Sequence, residues 1–188
     1  EVLSESKHAV EPRCHHFPTC GGCKVQQLNY DEQVAQKKQQ IENIFRRQAG
    51  IENFEVDAVV PADQIFNYRN KMEFTFSPNR WVLESEPENV DKSFAVGLHI
   101  PGRYDKIVDI YDCHIQPEVG NKILKIARDV CLEHPELKPY DPKTHVGFLR
   151  YLMLRYGVNT NQLMVNLVTA YDDLNKLSPL IDALLEQV

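Results

Sequence analysis

Residues 14–23 read CHHFPTCGGC, with three cysteines and two histidines in ten positions and a Gly-Gly pair inside the last CxxC. Thiolates this close together can hold a metal, close a disulfide or exchange electrons. A structural zinc site ordinarily draws on two close pairs of ligands. Here one CxxC, Cys20 and Cys23, is joined only by Cys14, five intervening residues upstream. The fourth ligand must come from far along the chain, and Cys113 in IVDIYDCHIQP is the candidate. Three local thiolates and one remote suit a cubane iron–sulfur cluster, whose irons take one cysteine each. Zinc accepts the same four sulfurs, so the spacing leaves both open. His15 and His16 are expected to be exposed polar neighbours rather than ligands. Gly21 and Gly22 are expected to allow the short arch between the two cysteines, through positive φ and a close N–H approach to sulfur. A redox role for the CxxC lacks the preceding βαβ pattern it would need. Cys131, mid-helix beside Val130 and Leu132, reads as a small hydrophobe of the core.

A second set of candidates is cationic. YRNK places Arg69 and Lys71 two apart, on the strand face opposite Met72, Phe74 and Phe76, where they could meet phosphates. GFLRYLMLRYG carries Arg150 and Arg155 five apart, so on a flat strand they face opposite ways and cooperate only across a bulge or bend. Tyr151 and Tyr156 beside them could stack on bases. The net charge of −6 argues against a surface that embraces nucleic acid everywhere and leaves room for a local basic patch.

The elements that must position these residues are ordinary ones. Hydrophobic residues make up 43% of the 188 and charged residues 26%, enough to bury a core without staples. Residues 29–49 are predicted helical, with Asn29 as cap, Val34, Ile41, Ile44 and Phe45 as a narrow apolar face, and Gly50 as stop. Residues 54–60 and 68–77 alternate like strands, 78–93 is an acidic loop or loose hairpin excursion, and 94–100 with 106–111 reads as a hairpin. A helix is predicted to begin at Pro117 and to stop at Pro135. Residues 145–157 and 161–170 form a second hairpin. The last fifteen residues are helical, with Ser178-Pro179 as a fresh start. Hairpins outnumber βαβ units, which predicts an α+β fold with a mostly antiparallel sheet, flanking helices and an N-terminal cysteine-rich segment. The expected division is a cluster segment at 1–28 and a central domain at 29–188. Five cysteines, an odd count, and no apolar leader or long apolar run suggest a cytoplasmic protein without a membrane segment.

The motifs go further together than singly. C-x5-CGGC-x2-QxLxY, YRNKMEF, VGLHIPGRYDKIVDIYDCHIQP and YDPKTHVGFLRYLMLRYG occur in this order. The set resembles the RNA (uracil-5-)-methyltransferases, in particular those that methylate uracil C5 in 23S ribosomal RNA, over about residues 12–175. The resemblance implies a [4Fe–4S] cluster on Cys14, Cys20, Cys23 and Cys113 with an architectural role. It also implies an RNA partner, here ribosomal RNA, and S-adenosylmethionine as methyl donor in the full-length enzyme. In that family a cysteine thiolate adds to uracil C6, C5 takes the methyl group and a carboxylate removes the C5 proton. No residue for those steps is identified here, since a glycine-rich methionine-cofactor loop, a DPPR-like cysteine segment and a downstream base are not found. The family's small β-barrel is absent or reduced to residues 1–11. The chain is therefore expected to be the central portion of a longer enzyme, monomeric, and inactive in methyl transfer by itself. A stand-alone zinc-containing RNA-binding module is the alternative.

Overall fold

In the computed structural model, which describes residues 4–188, the sheet is built around β1 (Lys71–Ser77). Its side chains alternate as the sequence predicts: Met72, Phe74 and Phe76 are buried, and Lys71 and Glu73 are exposed. Successive strand residues point to opposite faces, so one face of β1 belongs to the core and the other to solvent. β3 (Ala95–His99) and β5 (Leu149–Gly157) flank β1, both antiparallel. β4 (Ile107–Asp109) pairs antiparallel with β3, and β6 (Gln162–Thr169) with β5. The two-residue β2 (Arg80–Trp81) lies parallel to β4 at the edge, giving the order β2-β4-β3-β1-β5-β6. Helices α2 (Glu118–Glu133) and α3 (Leu174–Gln187) pack on each other and place Ile123, Leu124, Ala127 and Leu180 in one core with Phe74, Phe76 and Leu152. This is the expected α+β fold with a mostly antiparallel sheet.

By contact the chain divides into two units, one of Glu1–His15 and Lys24–Ile65, the other of His16–Cys23 and Phe66–Val188. This grouping differs from the division at 28/29 drawn from composition, because it cuts through the cysteine segment itself. The first unit carries α1 (Tyr30–Arg47), capped by Asn29, whose side chain accepts from the Glu32 amide at 2.8 Å. The predicted apolar face of α1 stays open, with Ile41, Ile44 and Phe45 each more than 40% exposed. Phe45 meets the Phe54 ring at 5.2 Å, and Arg46 lies over the same ring. Residues 54–60 form no strand. Alternation alone makes a strand only where a neighbouring strand accepts its amides, and Val60 is 90% exposed.

Along the described residues the order of helices and strands matches the predicted order, although one strand is a different segment and falls in the second unit instead of the first. The missing strand at 54–60 is replaced by β2, inside the stretch expected to be a loose excursion. Buried Arg80 holds that stretch: it pairs with Glu86, whose other oxygen accepts from the Leu83 amide at 2.8 Å. α2 begins one residue after Pro117, which occupies the cap position without a side-chain cap bond. α3 begins at Leu174, capped by Asp173, and runs through Pro179 instead of restarting there. Proline cannot donate to the carbonyl four residues back, that of Asn175. The Ser178 hydroxyl donates to that same carbonyl at 2.8 Å and replaces the missing bond. β5 starts four residues later than predicted because residues 145–148 turn: His145 has φ 58° and Gly147 φ 119°. A Cβ on Gly147 would lie 2.1 Å from the Pro139 carbonyl oxygen, so only glycine fits there.

Two polar contacts tie the second unit together. Asp109 at the end of β4 accepts from Arg128 of α2 at 2.8 Å and from the Val96 amide at 3.0 Å. Arg128 also donates to the Ile110 carbonyl at 2.5 Å and lies 4.4 Å over the Tyr111 ring. Both charged groups are buried, so each is satisfied only by the other and by these neighbours. Nearer the surface, Asp105 accepts from Nε and Nη2 of Arg103 at 3.0 and 3.2 Å and from Lys143 at 2.6 Å.

Arg128→Ala leaves the Asp109 carboxylate buried without its cation and is expected to lower the unfolding free energy by about 3–5 kcal/mol, read as a fall in the urea midpoint. The hydrogen bonds from Arg103 and then Lys143 hold the Asp105 carboxyl well below the usual carboxylate range. That latch is at full strength above the ordinary carboxylate pKa and is lost as pH falls through the lower folded-state value. A carboxyl-carbon NMR titration should place the Asp105 midpoint below that of an ordinary aspartate, and Lys143→Ala should move it upward.

Candidate functional site

The cysteine loop is set by its turn and by its contact with β3. The Cys20 amide donates to the His16 carbonyl at 2.8 Å, and the Gly21 amide to the His99 carbonyl at 3.0 Å. A Cβ on Gly21 would stand 2.6 Å from that carbonyl oxygen, and one on Gly22 would stand 2.9 Å from the Leu98 methyl. Gly21 is therefore required for room against the β3 backbone, whereas a Cβ on Gly22 would only have to displace a leucine methyl. Neither is among the positive-φ glycines Gly50, Gly102 and Gly147, which corrects the expectation of a left-handed arch. The expected N–H approach is present: the Gly22 amide points at the Cys20 Sγ at 3.4 Å.

Cys20 and Cys113 are each 9% exposed and belong to one hydrophobic cluster, against which Cys23 also packs. Cys113 lies beyond β4, in the turn that enters α2. Its amide donates to Asn121 Oδ1 at 2.9 Å, and its carbonyl accepts from the Gln116 amide at 3.3 Å. Cys14 falls in the first unit, half-buried, its amide donating to Gln26 Oε1 at 3.3 Å. Within the second unit Cys20, Cys23 and Cys113 suit thiolate ligation: they lie in or against one core, and Cys20 faces an amide N–H, which stabilises charge on sulfur. Cys131 is unlike them, since burial alone pushes its thiol up to about 12, as its predicted core role requires.

His16 overturns one expectation. It is 1% exposed, not a surface neighbour. Its Nε2 accepts from the Tyr111 amide at 3.4 Å and its ring stacks on Tyr111 with centroids 6.4 Å apart. Because Tyr111 carries Arg128 over its ring, His16 links the cysteine loop to the Asp109–Arg128 pair. His15 is exposed, as expected.

The four candidate cations separate into three places. Lys71 and Arg155 are direct register partners across β1 and β5. Glu73 lies between them, 3.3 Å from Lys71 and 3.1 Å from Arg155. The hydrogen bonds from Lys71, then Arg155, hold the Glu73 carboxyl below the usual range, so part of this positive charge is already neutralised. Arg69 precedes β1, and so does not share a strand face with Lys71. Its amide donates to Ile115 and its side chain to the Lys71 carbonyl at 3.1 Å. The pairing of β5 with β6 shifts register between Leu149 and Tyr151, so a bulge falls at Arg150 itself. That meets the condition under which Arg150 and Arg155 can serve one side. Arg150 lies 4.8 Å over Tyr140 and 5.7 Å over Tyr151. Glu73 could have been suspected from the sequence, two residues from Lys71. Tyr140 could not, because no spacing rule connects it to Arg150.

No family model matches the chain. An uncharacterized RNA methyltransferase of Chlorobaculum tepidum is 40% identical over 177 residues, covering 92% of this chain and 36% of the relative. The tRNA (uracil(54)-C(5))-methyltransferase of Pyrococcus abyssi is 31% identical over 169 residues, covering 90% of this chain and 36% of that protein. The crystal structure of the P. abyssi tRNA (uracil-54, C5)-methyltransferase in complex with S-adenosyl-L-homocysteine superposes with a TM-score of 0.64 at 27% identity. It covers 95% of this chain and 37% of that one. The chain thus spans a little over a third of the length of the relatives it matches. Over that span, both sequence and fold are similar to those of proteins named RNA methyltransferase and tRNA uracil-C5 methyltransferase.

Proposed function

We propose that this chain is the RNA-facing central portion of an S-adenosylmethionine-dependent RNA uracil-C5 methyltransferase. The observation that carries the reading is that relatives named as RNA methyltransferases match nearly the whole chain, while the chain accounts for little more than a third of theirs. Methyl transfer and the binding of its cofactor then belong to the remainder of the parent protein, and the chain by itself is inactive. Ribosomal RNA is the proposed substrate, supported by the C-x5-CGGC resemblance; the relative named for a substrate acts on transfer RNA. Cytoplasmic residence and a monomeric state complete the proposal.

Cys14, Cys20, Cys23 and Cys113 would hold a [4Fe–4S] cluster. Bound there, the cluster supplies a cross-link between distant parts of the chain and not an electron. This chain's own residues support that role. Gly21 and Gly22 let the loop settle on β3, the Gly22 amide faces the Cys20 sulfur, and Asn121 fixes the backbone of Cys113. Lys71, Arg155, Arg150 and Arg69 are the proposed phosphate contacts.

Anaerobic purification of the full-length protein is expected to give iron and acid-labile sulfide with a broad absorption in the violet. Stoichiometric zinc in a colourless protein would replace the cluster with the zinc-module alternative. Cys113→Ser is expected to lose the iron, and full retention would remove Cys113 from the ligand set. Lys71→Ala and Arg150→Ala are each expected to weaken RNA binding and to flatten the slope of log K against log salt by about 0.7–0.9. Unchanged slopes would return both cations to an ordinary solvated surface.

A further inference from the structure

Away from the cysteine loop, the second unit carries a cleft of about 550 Å³ between residues 136–148 and the start of α3. Ligand-binding clefts commonly measure about 300–1,000 Å³. Its lining interleaves the aromatic rings of Tyr140, Phe148 and Tyr171 with two cations, Lys138 and Lys176, and the imidazole of His145. The Lys176 ammonium lies 4.9 Å over the Phe148 ring and donates to the Tyr171 hydroxyl at 2.9 Å. Phe148 and Tyr171 are in ring contact at 4.9 Å, and Tyr171 remains 50% exposed. On the opposite wall the Tyr140 hydroxyl bonds His145 Nδ1 at 2.8 Å, while Arg150 covers the Tyr140 ring. The wall turns through Gly147, which adopts positive φ freely, and through His145, a non-glycine residue held at positive φ, the kind of costly backbone that gathers at working sites. Against these cations stands one lining carboxylate, Glu136, in a chain whose net charge is −6.

We infer that this cleft binds a nucleotide of single-stranded RNA, its base stacked on Tyr171 or Tyr140 and its flanking phosphates beside Lys138, Lys176 and Arg150. Aromatic platforms with adjacent cations suit an unpaired nucleotide, because every base has a π-face and every linkage a negative charge. An acidic protein segment would use the cations but not the exposed ring. The inference rests on the RNA-methyltransferase reading and adds a second place on the chain where RNA is held, apart from the Lys71–Arg155 pair.

The test is fluorescence anisotropy of a labelled oligouridine with the full-length protein, over a series of salt concentrations. Tyr171→Ala is expected to weaken binding about 5- to 100-fold, whereas Tyr171→Phe, which keeps the ring, retains it. Lys176→Ala is expected to flatten the salt slope by about 0.7. Circular dichroism melts confirm that each variant is folded. The cleft assignment is overturned if folded Tyr171→Ala and Lys176→Ala bind like wild type. It is equally overturned if Tyr171→Phe loses as much as Tyr171→Ala, since the hydroxyl contact to Lys176 would then be the whole effect. Methylation of RNA by the wild-type protein is assayed separately. Activity alongside unaffected cleft variants discards the cleft and keeps the functional reading, whereas a wild type that neither binds nor methylates RNA discards both.

Discussion

The buried pair between Asp109 and Arg128 is the contact on which the second unit depends. Burying two charges is unfavourable unless each finds its full set of partners, and here each does. Asp109 takes Arg128 and the Val96 amide, while Arg128 takes Asp109, the Ile110 carbonyl and the Tyr111 ring. These bonds fix α2 against the end of β4 in a single way, where apolar packing alone would tolerate slippage. The same tyrosine stacks on His16 and accepts it into the core, so the cysteine loop inherits its position from the pair. Cys113 follows Asp109 by four residues, in the turn between β4 and α2, and is placed by the same anchor.

A second constraint is steric. The CGGC loop sits so close to β3 that Gly21 meets a backbone oxygen, leaving no space there for a side chain, and Gly22 faces a leucine methyl. The backbone there stays within conformations open to any residue. The requirement comes from a neighbour about eighty positions away and is invisible in the loop's own sequence. Closeness brings the Gly22 amide to the Cys20 sulfur, an electrostatic setting favourable to a thiolate.

On the polar face, charge is arranged more sparingly than the sequence suggests. Lys71 and Arg155 stand opposite each other but share Glu73. Arg150, released by the bulge in β5, keeps company with tyrosines instead of carboxylates. A positive charge backed by aromatic rings remains available to an anion in a way that a charge paired with glutamate is not. The cations best disposed toward an anion are therefore those near Tyr140 and Tyr171, only one of which, Arg150, was marked by its strand motif.

By itself the sequence determined whatever depends on neighbours along the chain. The alternation of Met72, Phe74 and Phe76, the Asn29 cap, the two hairpins and the mostly antiparallel α+β class were all legible, because period and turn chemistry are local. The cysteine-rich loop and the remote Cys113 stand out in the sequence by residue type alone. Tertiary structure decided the rest. Residues 54–60 alternate yet form no strand, since no adjacent strand receives their amides. Arg80 and Glu86 order a stretch that reads as loose, because a buried ion pair outweighs local polarity. Pro179 continues a helix instead of starting one, since Ser178 satisfies the orphaned carbonyl. His16 is buried because Tyr111 offers it a ring and an amide. Each of these outcomes turns on a partner that sequence spacing cannot name, and a segment's fate follows the partner that satisfies it.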